Sequence, residues 1–392
     1  MKTIVLFDGK CHTTLLPLTF TRPVASIRVG ICTILEKWEH FFNQSLHVRC
    51  KDYLAEKYSS HEKEADLGIL GGLLPDQQLV DYIDDLPLNS ILMKQGVVLA
   101  ISPLPENNED LEKRLEKYSI LEYDAPVSIV NTPQDIFLKN GQELSKDFEW
   151  VAQGESNEIG ESNVVFGDQI FIEKGAQIRG SIINCEDGPV YIGKDAIVME
   201  GSLIKGPFAL LNNSTLKMGA KIYGPTTFGP HCKVGGEVGN SVIIGYSNKA
   251  HDGYLGNSVI GEWCNLGADT NTSNLKNNYS NVKTWSYSEA KMLDTGTQYC
   301  GLTMGDHSKC GINTMFNTGT VVGVSANVFG GGFPEKFIPS FSWGGKDGVV
   351  DFKLDKALSL ADVVMKRRGL SLSSFDRNIL SQLFDLTAKN RK

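Results

Sequence analysis

At 392 residues the chain is too long for one ordinary core and points to two or three units. Its net charge of -8, from 38 basic against 46 acidic residues, spreads without a basic block and argues against a nucleic-acid scaffold. No apolar run approaches the ~20 residues of a membrane span, and the eight cysteines form no Cys-x-x-Cys pair, so reduced thiols in a cytoplasm fit better than a disulfide frame or a zinc site.

Residues 3–7 read as a buried strand ending at Asp8-Gly9, because the apolar run before Asp8 is only four residues, too short for a signal peptide. Ile27 to His40 reads as a helix with Ile31, Ile34, Leu35 and Trp38 on one side. Strand, loop and helix in that order open an α/β nucleotide-binding unit. The run Leu15-x-Pro17-Leu18-Thr19 resembles the start of sugar-nucleotide pyrophosphorylases, which read Gly-Gly-x-Gly-Thr-Arg-Leu-x-Pro-Leu-Thr. In that family the glycines admit the nucleotide phosphates, and an Arg with a later Pro-Lys neutralises charge during phosphoryl transfer. Here Gly9 survives, Lys10 and His12 stand where glycines belong, Thr14 replaces the Arg, and Pro23 is followed by Val24. Gly9, Lys10, Arg22 and Arg28 are the remaining candidates for nucleotide or phosphate binding. For the family's Mg²⁺-binding Asp the nearest carboxylate is Asp76, and no metal ligand is assigned. The resemblance implies a degenerate nucleotidyltransferase-like α/β domain over 1–130, with Mg²⁺ as cofactor if it is active.

Thr132-Pro133-Gln134-Asp135 starts a linker helix, with Thr as N-cap, Pro in the first turn and Asp at the positive end of the dipole; the linker is taken as 131–154. From about Val164 the period changes. Ile192, Val198, Ile204, Leu210, Leu216, Ile222, Phe228 and Val234 stand six apart, too slow for a strand's alternation and out of step with a helix. The beat returns at Met304, Cys310, Phe316, Val322 and Val328 after an irregular block over 237–301. Three six-residue faces close one triangular coil, giving roughly seven to nine coils over 164–330 less insertions, within an acyltransferase domain taken as 155–345. Gly193, Gly229, Gly235, Gly245, Gly256, Gly261 and Gly267 fit the corners.

The segment from Asn248 to Asn274 resembles the acetyltransferase half of the bifunctional N-acetylglucosamine-1-phosphate uridylyltransferase/glucosamine-1-phosphate acetyltransferase family. That family reads Lys-Ala-Gly-His-x-x-Tyr-Leu-Gly, then Asn-Ile-Gly-Ala-Gly-Thr, then Asn-Tyr-Asp-Gly. His251, Tyr254, Asn265 and Asn274 keep the pattern's mutual spacing without a gap. A lone histidine would read as a satisfied surface residue; four positions in register favour a site. The resemblance implies a left-handed β-helix and a homotrimer with sites between neighbours. It also implies His251 as general base toward acetyl-CoA, with Tyr254, Asn265 and Asn274 holding the substrate. An imidazole of pKa ~6.5 suits that task. The family's phosphate-binding Arg maps to Lys221, but its Lys maps to Gly239. Asn274 is followed by Leu275-Lys276-Asn277, so the acceptor differs from glucosamine-1-phosphate unless Lys276 or Lys283 restores the charge.

Residues 275–303 leave the beat and are polar and aromatic, a segment that either covers a neighbour's site or packs as a loop. Phe341 and Trp343, after the last coil, are the candidate cofactor-binding residues toward coenzyme A. Leu354 to Arg368 and Ser373 to Lys389 read as helices within 346–392, the second capped by Ser373-x-x-Asp376, and no catalytic role is expected of them. The expected fold is an α/β nucleotidyltransferase-like domain followed by an all-β left-handed parallel β-helix of hexapeptide repeats with C-terminal helices. The expected activity is acetyl-CoA-dependent N-acylation of an amino-sugar phosphate or sugar nucleotide. A sugar-1-phosphate nucleotidyltransferase and a non-catalytic trimeric sugar-nucleotide-binding scaffold are the alternatives.

Overall fold

The structure, a computed structural model, describes residues 2–106 and 115–391. The chain forms two compact units: Met1–Leu15, Thr21–Ile27 and Cys32–Thr132 in the first, and Leu16–Phe20, Arg28–Ile31 and Pro133–Lys392 in the second.

The first unit is built on a six-stranded sheet. Ile4–Phe7 lies between His47–Arg49 and Leu67–Leu70, parallel to both. Val97–Ser102 then runs antiparallel to Leu67–Leu70 and to Ser90–Lys94, and Ser119–Glu122 closes the order parallel to the latter. Ile4, Val5 and Leu6 are all buried, as a strand covered on both faces requires. The helix expected from Ile27 begins only at Ile34 and runs to Phe42. Thr33 and Glu36 form a reciprocal capping box that fixes this start. Upstream, Gly30 takes φ +84, and the amides of Gly30 and Ile31 donate to Asn140 Oδ1 and Asp147 Oδ2, each at 2.8 Å. Residues 28–31 therefore belong to the second unit, where these two acceptors stand on the helix Pro133–Val151.

In the second unit the six-residue beat becomes three parallel sheets of short strands. Nine strands from Ile170–Ile172 to Phe337–Ile338 make the first face, and pairing of each with the strand one coil on puts Ile192, Leu210, Phe228, Ile243 and Ile260 in one inward stack. The second face stacks Val198, Leu216 and Val234, and the third Ile183, Ile204, Ile222, Val238 and Leu255. All of these are buried in one continuous core, each contributing on the order of 1.5–3 kcal/mol. The architecture is a left-handed parallel β-helix with C-terminal helices, as the sequence implied.

The irregular block is not a break in the coil. Val234 to Val238 is a step of four and Val238 to Ile243 a step of five, yet the strands stay in register. Corners have been shortened while the faces persist. Most corner glycines serve close approach: a Cβ on Gly229 would overlap the Ile244 carbonyl. The left-handed φ falls instead on Asp195, Asn213, His231, Tyr246, Trp263 and His307, in successive coils. Asp and Asn tolerate it through local hydrogen bonds. The aromatics stack, His231 on Tyr246 at 4.8 Å and Tyr246 on Trp263 at 4.3 Å.

The 275–303 excursion folds as an antiparallel hairpin, Lys283–Ser286 with Lys291–Asp294. It packs on its own chain: Trp285 stacks on Phe337 at 4.3 Å and Tyr287 meets Phe20 and Phe337 edge-on. The C-terminal helices are Leu354–Lys366 and Ser374–Leu386, and the Ser373 hydroxyl accepts from Asp376 N at 3.0 Å as its motif predicted. All eight cysteines are free. Among the described residues no helix is long and apolar enough to cross a membrane.

Candidate active site

His251 sits on the corner between the second and third faces, after Asn248–Lys249 and before Tyr254–Gly256, with its side chain exposed. It stands on a ridge between two hollows. One, of about 600 Å³, lies between the second face and the helix Leu354–Lys366 and also holds Asn265. The other, of about 390 Å³, is lined by Lys217, Gly236 and Asp269.

Tyr254 and Asn274 meet on the third face. Asn274 Nδ2 donates to Tyr254 Oη at 3.0 Å and to Asn257 Oδ1 at 2.8 Å, and the Tyr254 amide donates to Asn271 Oδ1 at 2.9 Å. Gly256 makes the pair possible, since a Cβ there would stand 2.6 Å from the tyrosine ring and 2.7 Å from Asn274 Nδ2. Burial raises the Tyr254 hydroxyl above its ordinary pKa, keeping it a neutral donor. Lys221 is exposed on the same face, two coils below Tyr254 in the row Lys221, Glu237, Tyr254. Gly239, where the resemblance expects a second cation, lies under Tyr223: a Cβ there would be 2.9 Å from that ring. Lys276 is spent within the excursion, donating to Ser280 Oγ and to the Asn281 carbonyl. The predicted residues thus form two groups, His251 with Asn265 and Tyr254 with Asn274, while Lys221 stands apart.

Phe341 and Trp343 differ in kind. Phe341 is fully buried against Phe384, with the Arg391 guanidinium 5.6 Å from its ring, which makes it a packing residue beneath the C-terminal helices. Trp343 remains 43% exposed beside Phe329 and Phe352.

Sequence reading missed Lys249. Strand pairing sets it opposite Val234, in the inward stack of the second face, and it is 2% exposed. Its Nζ donates to the carbonyls of Gly235 and His251, both at 2.9 Å. Burial pulls the ammonium down to about 8, against weak support from Asp252, Asp269 and Glu237. The shortened corners upstream hid its inward register. Also missed were four cations on the large cavity: Lys233 and Lys309 from the coils, Arg367 and Arg368 from beyond the helix end. The adjacent arginines were legible as a basic pair, but nothing in the sequence placed them beside His251.

In the first unit Gly9 takes φ +55, Lys10 is exposed just before the short helix Cys11–Thr14, and Arg22 is buried. Arg28 lies in the second unit and donates to the Ile31 carbonyl. Asp8 is held by the Val24 amide at 2.8 Å and by His12 Nδ1 at 3.0 Å. Asp76 caps Gln77–Asp84, accepting from Leu79 N at 2.9 Å.

Residues 4–156 match the family model described as sugar nucleotidyl transferase. The bifunctional protein GlmU of Synechococcus elongatus is 24% identical over 190 residues, 46% of this chain and 37% of that protein. A bifunctional sugar-1-phosphate nucleotidylyltransferase/acetyltransferase of Sulfurisphaera tokodaii is 32% identical over 178 residues, 43% of this chain and 40% of that one. The chain therefore spans less than half the length of these curated relatives. Among solved structures, the UDP-N-acetylglucosamine acyltransferase from Campylobacter jejuni aligns at 13% identity and a TM-score of 0.25, over 60% of this chain and 91% of its own. The resemblance read from the sequence, to a divergent branch of the bifunctional family, holds in these relatives.

Proposed function

We propose that the chain is a transferase of sugar-nucleotide metabolism that moves an acetyl group from acetyl-CoA to the amine of an amino-sugar phosphate or sugar nucleotide. The carrying observation is the position of His251, exposed on the lip of the cavity that also holds Asn265. In the reaction the amine nitrogen attacks the thioester carbonyl while His251 takes its proton; the C–S bond then breaks and the proton passes to the leaving thiolate. Tyr254 and Asn274, already hydrogen-bonded to each other, orient the acceptor. The name of the Sulfurisphaera relative, a bifunctional sugar-1-phosphate nucleotidylyltransferase/acetyltransferase, supports acetyl transfer and a sugar-phosphate class of substrate.

A second reading, nucleotidyl transfer with Mg²⁺ in the first unit, is favoured by the family match over 4–156. Against it, the carboxylates nearest the motif, Asp8 and Asp76, are each engaged by a backbone amide. One experiment separates the two. With a panel of amino-sugar phosphates and sugar nucleotides, acetyl-CoA should release free thiol; with nucleoside triphosphates and sugar-1-phosphates, pyrophosphate release would mark the second activity. Thiol release from no acceptor would end the first reading.

The working unit is a homotrimer in a reducing, cytoplasmic setting. Val164, Ile182 and Leu203 form an exposed apolar row on the third face, paired strand to strand, the kind of surface a second copy would cover. Sedimentation should give three times the 43.0 kDa chain mass; a monomer at micromolar concentration would refute it.

A further inference from the structure

Four cations converge on the cavity beside His251, and no carboxylate lines it. Lys233 and Lys309 stand on the outward row of the second face, one coil below Asn248 and one above Asn265. Arg367 and Arg368 come from the end of Leu354–Lys366. Arg368 is anchored across the gap, its Nη2 donating to Asn248 Oδ1 at 3.0 Å and to the His231 carbonyl at 3.4 Å. Arg367 is exposed and forms no ion pair among the described residues, nor do the other three. The crowding acts on Lys233, which is lowered from its ordinary pKa first by Arg368, then by burial, Lys217 and Arg367, whereas Lys309 is taken down to about 8 by burial rather than by its cationic neighbours. Like charges held this close are costly unless an anion joins them.

We propose that this cavity binds a diphosphate group, with Lys233, Lys309, Arg367 and Arg368 as its ligands, so that the C-terminal helix is part of the substrate site. A diphosphate carries enough charge to engage both coil lysines and both helix arginines, and guanidinium forks suit its oxygens. Two donors of this chemistry are compatible with acyl transfer: the diphosphate of a sugar nucleotide acceptor and that of coenzyme A. The assignment of the cavity to a reaction rests on the proposed function, but its anion binding does not.

Titration calorimetry on the full chain tests it with inorganic pyrophosphate, UDP and coenzyme A as probes. Pyrophosphate should bind the parent, and the double variant Arg367→Gln/Arg368→Gln should weaken it at least tenfold while Lys174→Gln, at an exposed lysine outside the cavity, leaves it unchanged. Competition then names the source: displacement by UDP marks a sugar nucleotide, displacement by coenzyme A marks the donor. Equal affinity in parent and double variant, loss confined to Lys174→Gln, or no binding to the parent would overturn the site. Arg367→Gln alone, at an exposed position, keeps the test valid should Arg368→Gln unfold the helix, and it should still cost several-fold. Binding without thiol release would leave the anion site standing and refute only the acyltransferase.

Discussion

Replacing His251 with asparagine is expected to lower kcat for acetyl transfer by roughly 10²- to 10⁴-fold, the range lost when a positioned general base is removed. The side chain is exposed and makes no structural contact that the fold depends on, so the variant should melt with the parent. Asparagine keeps a polar group on the ridge but cannot accept a proton near neutrality. The expected signature is loss in kcat with little change in KM, because the proposed reaction assigns the substrate contacts to Tyr254, Asn265 and Asn274. A turnover unchanged in His251→Asn would remove the histidine from the chemistry, whatever the cavity binds.

How much of this was legible in the chain depends on the kind of signal. The solenoid was readable because one residue in six must point inward on every face, so Ile192 to Val234 carry the fold in plain periodicity. Stacked coils convert sequence spacing into fixed positions, and here that spacing splits the expected quartet into two pairs, His251 with Asn265 on the large cavity and Tyr254 with Asn274 on the third face. What remained hidden depends on where corners lose residues. The step of four from Val234 to Val238 and the step of five on to Ile243 together moved Lys249 into the inward stack, and no periodicity count made before those shortenings are known could place it. The helix from Ile27 failed for a different reason: Asn140 and Asp147, more than a hundred residues on, hold residues 30–31 out of it. The apposition of Arg367 and Arg368 to His251 is likewise long-range, set by Arg368 on Asn248.

Lys249→Met should uncouple stability from activity. In the native protein the ammonium is buried between aliphatic neighbours and its pKa falls from the ordinary 10.5 to about 8. At about 1.4 kcal/mol per pH unit, that difference corresponds to a penalty on the order of 3 kcal/mol, fully present below pH 8. Between about 8 and 10.5 the unfolded chain binds the proton that the native chain has released, so stability from this group rises with pH across that window. The two hydrogen bonds to the Gly235 and His251 carbonyls satisfy the buried ammonium's donors and keep the lysine in this position. Methionine fills the same channel without a charge. Denaturant unfolding at pH 7 and pH 10 should therefore show the variant lacking part of the parent's pH-dependent gain. Lys309, also near 8, contributes equally to both proteins and cancels in the difference. Turnover should fall in the same variant, because Lys249 is the tie that holds the backbone of His251 at the corner; Lys249→Arg, which keeps a donor, should recover part of it. Parallel stability curves for parent and Met variant would mean that Lys249 is not held as a depressed, buried ammonium. An undiminished kcat would mean that the corner positions His251 without it.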